Sequence, residues 1–195
     1  ARTCWGKDEG SVAIYLRGSF ATTGRGHGTD RALLAGLMGM EPDDSRIRTA
    51  YEAAEEQGLA YSFHTEEVDG AHPNSARFLF QGREGDSMEI IGASLGGGAV
   101  ELQEIDGFAL RITGELPTLV TFHKDSPGVV SVVTSVLTGM DINIATLTLA
   151  RKARGGRASM AIEMDAGTES DVAERVRNAH PSLLRVLFLA SKGGA

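Results

Sequence analysis

Val129, Val132, Val133, Val136 and Leu137 recur at intervals of three and four residues and place one apolar stripe on a single helix face. Pro127 sits where a first helical turn tolerates proline, and Gly139 marks a stop. Apolar strand-like runs flank this helix at residues 119–122 and 142–150. Beyond them come a basic turn (RKARGGR, 151–157), another strand-like run at 158–164, a short amphipathic helix at 169–178 and a last strand at Leu183–Leu189. An order β-α-β-β-α-β within so short a stretch admits few architectures, and the ferredoxin-like split βαβ is the one it predicts. Met160 and Met164 then fall in its core, and RKARGGR reads as a solvated hairpin tip.

The preceding part has another rhythm. Val12, Ile14 and Leu16 alternate with Ala13 and Tyr15, as in a strand buried on both faces. A glycine-rich segment follows, then helical patterns at 31–38 and 46–57, the second closed by Gly58. Tyr61 and Phe63 mark a strand, and VDGAHPNS is a turn-rich loop. A β-rich block then runs through 76–80, 88–95, 100–105 and Phe108–Ile112, with Asp-Gly between the last two as a hairpin signal. TGELP (113–117) punctuates the chain before the pattern restarts. The fold class predicted is α+β, with an N-terminal α+β domain at 1–115 and a ferredoxin-like domain at 116–195.

Composition removes several functions. A formal net charge of −7 argues against nucleic acid, whose phosphates want a basic face. No apolar run approaches the roughly 18–20 residues of a membrane span. The single cysteine, Cys4, excludes an internal disulfide and cannot by itself hold an iron–sulfur cluster or a cysteine-rich zinc site, so no metal ligands are assigned to this chain. A reducing, cytoplasmic setting fits that usage.

Two polar loops stand out. In GSFATTGRGHGTD (18–30), Gly24, Gly26 and Gly28 let backbone N–H groups approach an anion ahead of a helix that Thr29-Asp30 would cap. His27 lies between glycines with no apolar neighbour to bury it, and imidazole suits proton transfer or carboxylate pairing. The spacing fits neither dinucleotide nor Walker glycine patterns, and on residue type alone a plain capped loop is the better explanation. In HPN (72–74), proline holds His72 extended and Asn74 suits an Asx turn; either the loop is merely a turn or it converges with His27 on one ligand. Ser94 opens SLGGG, an anion nest or, on residue type, a wide turn. In the second half HKDSPG joins a strand to the valine helix, where Asp125, Ser126, Gly128 and Val129 would present N–H groups to a carboxylate. Asn143 and Ile144 open the next strand, read as lying beside that loop. The blander account is a helix cap and a strand start. No nucleophile elbow, Walker loop or H-E-x-x-H occurs.

GSFATTGRGHGTDRALLAGLMGMEPDD, HPNSARF, IIGASLGGGAVELQEIDGF and HKDSPGVVSVVTSVLTGMDINIATLTLARK occur here in the order seen in the beta subunit of bacterial iron–sulfur L-serine dehydratases, and the chain resembles that family over nearly its whole length. The resemblance implies an allosteric-substrate-binding-like first domain, also found in some phosphoglycerate dehydrogenases, and a second domain similar to ACT amino-acid-sensing modules. It implies conversion of L-serine to pyruvate and ammonia, with a [4Fe–4S] cluster on an alpha subunit and no cofactor on this chain, which alone would be inactive. His27, His72 and Asn74 become catalytic candidates. Gly26, Gly28, Thr29, Asp30 and Ser94 become substrate-binding candidates. Asp125, Ser126, Gly128, Val129, Asn143 and Ile144 become effector-binding candidates. The partners implied are the alpha subunit, L-serine and a second copy paired through the ACT domain. The family also carries a Ser-Ser-Ser-His-Thr stretch that this sequence does not contain. A purely regulatory amino-acid-binding protein, or the regulatory region of a phosphoglycerate dehydrogenase, is the competing expectation.

Overall fold

Val12, Ile14 and Leu16 bury one face of a strand, β1 (Ser11–Leu16), that pairs on both sides and organises the first half of the chain. The computed structural model describes residues 1–6, 10–24, 26–165 and 169–191, and its chain divides into two compact units, Ala1–Asp106 and Gly107–Ala195. The division falls at the Asp-Gly turn, upstream of TGELP.

The first unit begins with a short helix α1 (Arg2–Trp5). After β1 come α2 (Ser19–Thr23), α3 (Thr29–Leu37), a 3-10 turn at Ser45–Thr49, α4 (Ala50–Glu56), β2 (Ala60–Thr65), β3 (Ser75–Gln81), β4 (Ser87–Gly96) and β5 (Ala99–Ile105). The strand order is β2-β1-β3-β4-β5. β1 and β2 are parallel, which requires a crossover, and the helices between them supply it; the remaining neighbours are antiparallel. Register puts Val12 beside Phe80, Ile14 beside Phe78, Phe78 beside Ile90 and Phe80 beside Met88, so one sheet face is a continuous apolar layer. Trp5 stacks on Phe80 with centroids 5.4 Å apart. Leu34, Ala35, Ala50 and Ala54 join α3 to α4, with Tyr51, Tyr61 and Phe63 packed against them. The other face carries Tyr15, His64, Arg77 and Glu89 at alternate positions.

The glycine-rich stretch departs from its reading as continuous loop. Thr22 and Thr23 hydroxyls bond the Gly18 and Ser19 carbonyls and help hold α2 together. Thr29 and Asp30 do not cap the next helix; they lie inside its first turn, and Gly28 is the N-cap, left-handed at φ 72°. The helix read at 46–57 opens as a 3-10 turn before becoming α4. α1 has too few residues to show any periodicity.

The second unit starts with β6 (Phe108–Ile112) and continues through β7 (Thr118–Lys124), α5 (Val129–Gly139), β8 (Ile144–Arg151), β9 (Arg157–Met164), α6 (Glu169–Arg177) and β10 (Leu183–Leu189). Its sheet order β10-β7-β9-β8, with antiparallel neighbours, is the ferredoxin-like arrangement expected. The valine stripe supplies Val129, Val133 and Leu137 to a core with Met160, Ile162, Met164, Val172, Val176 and Phe188. Gly139 is the last helical residue, and Asp141 at φ 56° takes the left-handed turn, with the Ile142 N–H returning to the Leu137 carbonyl at 3.0 Å. On the sheet's other face Phe108 meets Phe122 edge-on at 5.8 Å, and Lys152 lies 4.9 Å from the Phe108 ring. Among the described residues no helix is long and apolar enough to cross a membrane. Leu137 is fully enclosed, so Leu137→Ala should cost about 2–5 kcal/mol in a urea melt with little change in slope.

Candidate functional site

Three of the polar segments meet at one end of the first sheet, because β1 ends there, its antiparallel neighbour β3 begins there and β4 ends there. The Arg17 N–H bonds the Ser75 carbonyl at 3.1 Å and the Ser19 N–H bonds the Pro73 carbonyl at 2.6 Å. Gly18 is left-handed at φ 51°, and a Cβ on it would stand 2.6 Å from the Pro73 oxygen, so glycine is required at this crossing. The Ser94 N–H closes the group on the Asn74 carbonyl at 2.8 Å. This is the carboxyl edge of the parallel pair β1–β2, where open α/β sheets collect ligands.

His72 is half-buried, and its Nδ1 accepts the Asn74 N–H at 3.1 Å. In the neutral imidazole that leaves the proton, and hence a donor, on Nε2. The Ser75 hydroxyl donates to the His72 carbonyl at 2.7 Å and holds the loop. His27 is exposed, and its backbone N–H bonds the Thr23 carbonyl, just past α2. Gly26 is exposed, and the Thr29 N–H turns back to the Gly24 carbonyl at 2.8 Å. Asp30 is buried: its Oδ1 accepts the Arg31 N–H and its Oδ2 accepts the Tyr51 hydroxyl at 2.6 Å, which ties α3 to α4. Arg25 lies outside the described residues.

An ion-pair network beside these loops escaped the sequence reading. Glu66, the residue after β2, takes Arg17 Nε at 2.7 Å and Arg77 Nε at 3.0 Å on Oε1, and Arg77 Nη2 at 2.8 Å on Oε2. Arg77 also donates Nη1 to Glu89 and lies 3.9 Å over the Tyr15 ring, which stacks on His64 at 4.8 Å. The Arg77 hydrogen bonds hold the Glu66 carboxyl below its ordinary range and raise the Arg77 guanidinium in turn. The signal was alternation: Tyr15, Arg17, Arg77 and Glu89 share one face of strands whose other face is apolar.

The effector candidates do not converge within one chain. Asp125 follows the end of β7, whereas Asn143 precedes the start of β8. Lys124 pairs with Arg157 and Thr118 with Glu163, while Ile144 pairs with Met164 and Arg151 with Ala158. The start of β8 therefore lies at the same sheet end as the start of β7, with β9 between them, roughly 20 Å of strand away from Asp125. The reading of Asn143 as lying beside the loop missed that β8 runs parallel to β7, so like ends coincide. Asn143 is engaged instead with Asp165, its Nδ2 donating to Oδ2 at 2.6 Å. Gly128, not Asp125 or Ser126, is the N-cap of α5. Asp125 accepts the Gly155 N–H at 2.9 Å and Arg151 Nη1 at 3.3 Å, and these bonds, the backbone one first, lower its carboxyl. RKARGGR is thus an exposed tip that also docks the loop. Ser126 Oγ donates to Ser182 Oγ at 3.0 Å, and Val129 is buried in the core.

An α+β unit with polar loops gathered at one sheet end, followed by a ferredoxin-like unit, defines a two-unit protein class with a candidate site on each unit. The family model described as serine dehydratase beta chain matches residues 4–60. The L-serine dehydratase beta chain of Peptoniphilus asaccharolyticus is 41% identical over 79% of this chain and 70% of that protein. The probable L-serine dehydratase beta chain of Bacillus subtilis is 34% identical over 97% of this chain and 86% of that protein. A D-3-phosphoglycerate dehydrogenase of Bacillus subtilis is 26% identical over 91% of this chain and 34% of that protein. The chain belongs to the L-serine dehydratase beta-chain family.

His123 is buried, its Nδ1 3.3 Å from the Thr121 hydroxyl, and burial lowers its imidazole against the opposing pull of Asp125. Below its ordinary value near 6.5 the unfolded chain gains a proton that the folded chain resists, so stability falls as pH drops through that point. Melting temperature should decline between about pH 7.5 and 5.5. A well-folded His123→Gln variant should flatten that decline.

Proposed function

We propose that this chain lends the polar groups at the carboxyl end of β1 to an active site completed by a partner subunit, where L-serine is converted to pyruvate and ammonia. The observation that carries the reading is the meeting of the 18–30 segment, the HPN loop and Ser94 at one sheet end. The reaction removes the α-proton and expels the β-hydroxyl as water, and hydrolysis of the resulting enamine releases ammonia. His27, an exposed imidazole flanked by glycines, is the proton-transfer candidate. His72 presents Nε2–H as a fixed donor because Asn74 occupies Nδ1. Gly26 and Gly28 leave the backbone open beside His27, Thr29 stays a substrate-facing candidate, and the Asp30 carboxylate is spent on the Arg31 N–H and the Tyr51 hydroxyl.

The residues of this chain do not fit an iron–sulfur cluster. Cys4 is the one cysteine and lies buried in the core, and among the described residues no group of three or more His, Cys, Asp or Glu is placed to hold a metal. The [4Fe–4S] cluster belongs to the alpha subunit in this reading. Purified alone, the chain should carry no iron and form no pyruvate from L-serine. In the reconstituted complex His27→Ala should cut kcat by about a hundredfold or more with an unchanged circular dichroism spectrum. Unchanged kinetics would favour the purely regulatory reading, which the similarity to the phosphoglycerate dehydrogenase supports.

The second unit reads as an ACT-type sensor of L-serine that works as a two-fold pair. β8 is an edge strand with Leu147 and Leu149 exposed, a surface that a second β8 can cover. Antiparallel pairing of two such edges sets the start of one strand beside the end of the other. Asn143 of one copy then approaches the Asp125–Val129 loop of the other, and the two halves separated within one chain face each other. Calorimetry of the full chain should show saturable L-serine binding that disappears in Asn143→Ala; no heat from a dimeric, folded chain at large serine excess would remove this role.

A further inference from the structure

Arg17 stands directly after β1, at the same sheet end as the HPN loop and Ser94. Its side chain is only 10% exposed. Nε donates to Glu66 Oε1, and the backbone N–H is spent on Ser75. The two terminal nitrogens have no acceptor among the described residues. Neither of these nitrogens is fully enclosed, so both remain accessible from solvent. Arg77 makes the contrast clear. It shares Glu66 with Arg17, yet all three of its guanidinium nitrogens are paired, on Glu66 and Glu89, and its plane rests on Tyr15. The network's two carboxylates are thus committed mainly to Arg77, and Arg17 keeps an open fork.

The Arg17 side chain is largely buried, yet its two terminal nitrogens stay accessible with no protein acceptor, so an anion that displaces water there gains charge-assisted hydrogen bonds from a group already held in place. Its planar pair of Nη groups matches a carboxylate in bidentate geometry, which a lysine ammonium does not reproduce. Glu66 holds the guanidinium by Nε alone and so aims the Nη edge without consuming it. We propose that Arg17 binds the α-carboxylate of a small α-amino or α-hydroxy acid at this sheet end. This rests on the reading of the loop cluster as substrate-facing.

The test is competitive inhibition of the reconstituted complex by L-alanine and by L-alaninamide, which differ only in the carboxylate and lack the leaving hydroxyl. Arg17→Lys retains the charge beside Glu66 but not the planar fork, and Arg17→Met removes both. In each, KM for L-serine and the inhibition constant of L-alanine should rise by roughly 10–100-fold, while that of L-alaninamide stays within about twofold. A merely structural arginine would weaken both inhibitors together, and that result, or no change in either, overturns the proposal. Inorganic phosphate competing more tightly than L-alanine, and losing that advantage in Arg17→Met, would also overturn it by assigning the fork to a phosphate. His27→Ala in the same assay separates the two claims. Loss of turnover in His27→Ala with an unchanged inhibitor ratio in both Arg17 variants sinks the Arg17 role alone, whereas unaffected turnover in His27→Ala together with that unchanged ratio sinks the site as well.

Discussion

Glu66 is where the architecture of the first unit is tied to its chemistry. It follows β2, and through Arg17 and Arg77 it reaches the residue after β1 and the interior of β3. Three strand segments are therefore locked by one carboxylate at the edge where the polar loops leave the sheet. The side chains involved are 10–20% exposed, so solvent screens them only partly and each lost partner leaves a charge in a poor medium. Hydrogen bonds from Arg77, reinforced by Arg17, keep Glu66 ionised, and the stability this contributes is lost only as the pH falls below about 4.5 toward its depressed value. The loops beside it inherit that rigidity: Arg17 leads directly into Gly18, and Gly18 crosses Pro73 where a side chain would not fit.

The second unit meets a different constraint. Its sheet closes over a valine-lined helix face and leaves β8 at an edge with two exposed leucines. As an edge strand, β8 presents backbone groups on its open side that no neighbouring strand of this sheet pairs. The bonds from Asp125 to Gly155 and Arg151 fasten the α5 loop to the far end of the same edge. One strand therefore connects both groups of effector candidates, at its opposite ends.

Strands and helices with strong periodicity were legible from residue order. The valine stripe, the alternation at Val12, Ile14 and Leu16, and the Asp-Gly turn each map to elements whose bounds differ from the expectation by a residue or two. Local chemistry that depends on where a chain turns was less legible. Thr29-Asp30 looks like a cap, but Gly28 reaches the left-handed region more cheaply and takes that place, freeing Asp30 to meet Tyr51, twenty-one residues away. Four residues of α1 and five of α2 span little more than one turn, too short for a 3.6-residue period to repeat.

By itself the sequence determined the order of elements, the ferredoxin-like second half, the single cysteine and the identity of the polar segments, because periodicity and turn chemistry are local properties of neighbouring residues. Only the tertiary structure decided which of those segments meet. His72, Asn74 and Ser94 join the 18–30 segment because β1, β3 and β4 share an edge, and Asn143 parts from Asp125 because β8 runs parallel to β7. The same holds for Arg17. Nothing in Tyr15-Leu16-Arg17 foretells an arginine held by one nitrogen and open at two, since that state follows from Arg77 having claimed the remaining carboxylate oxygens from another strand.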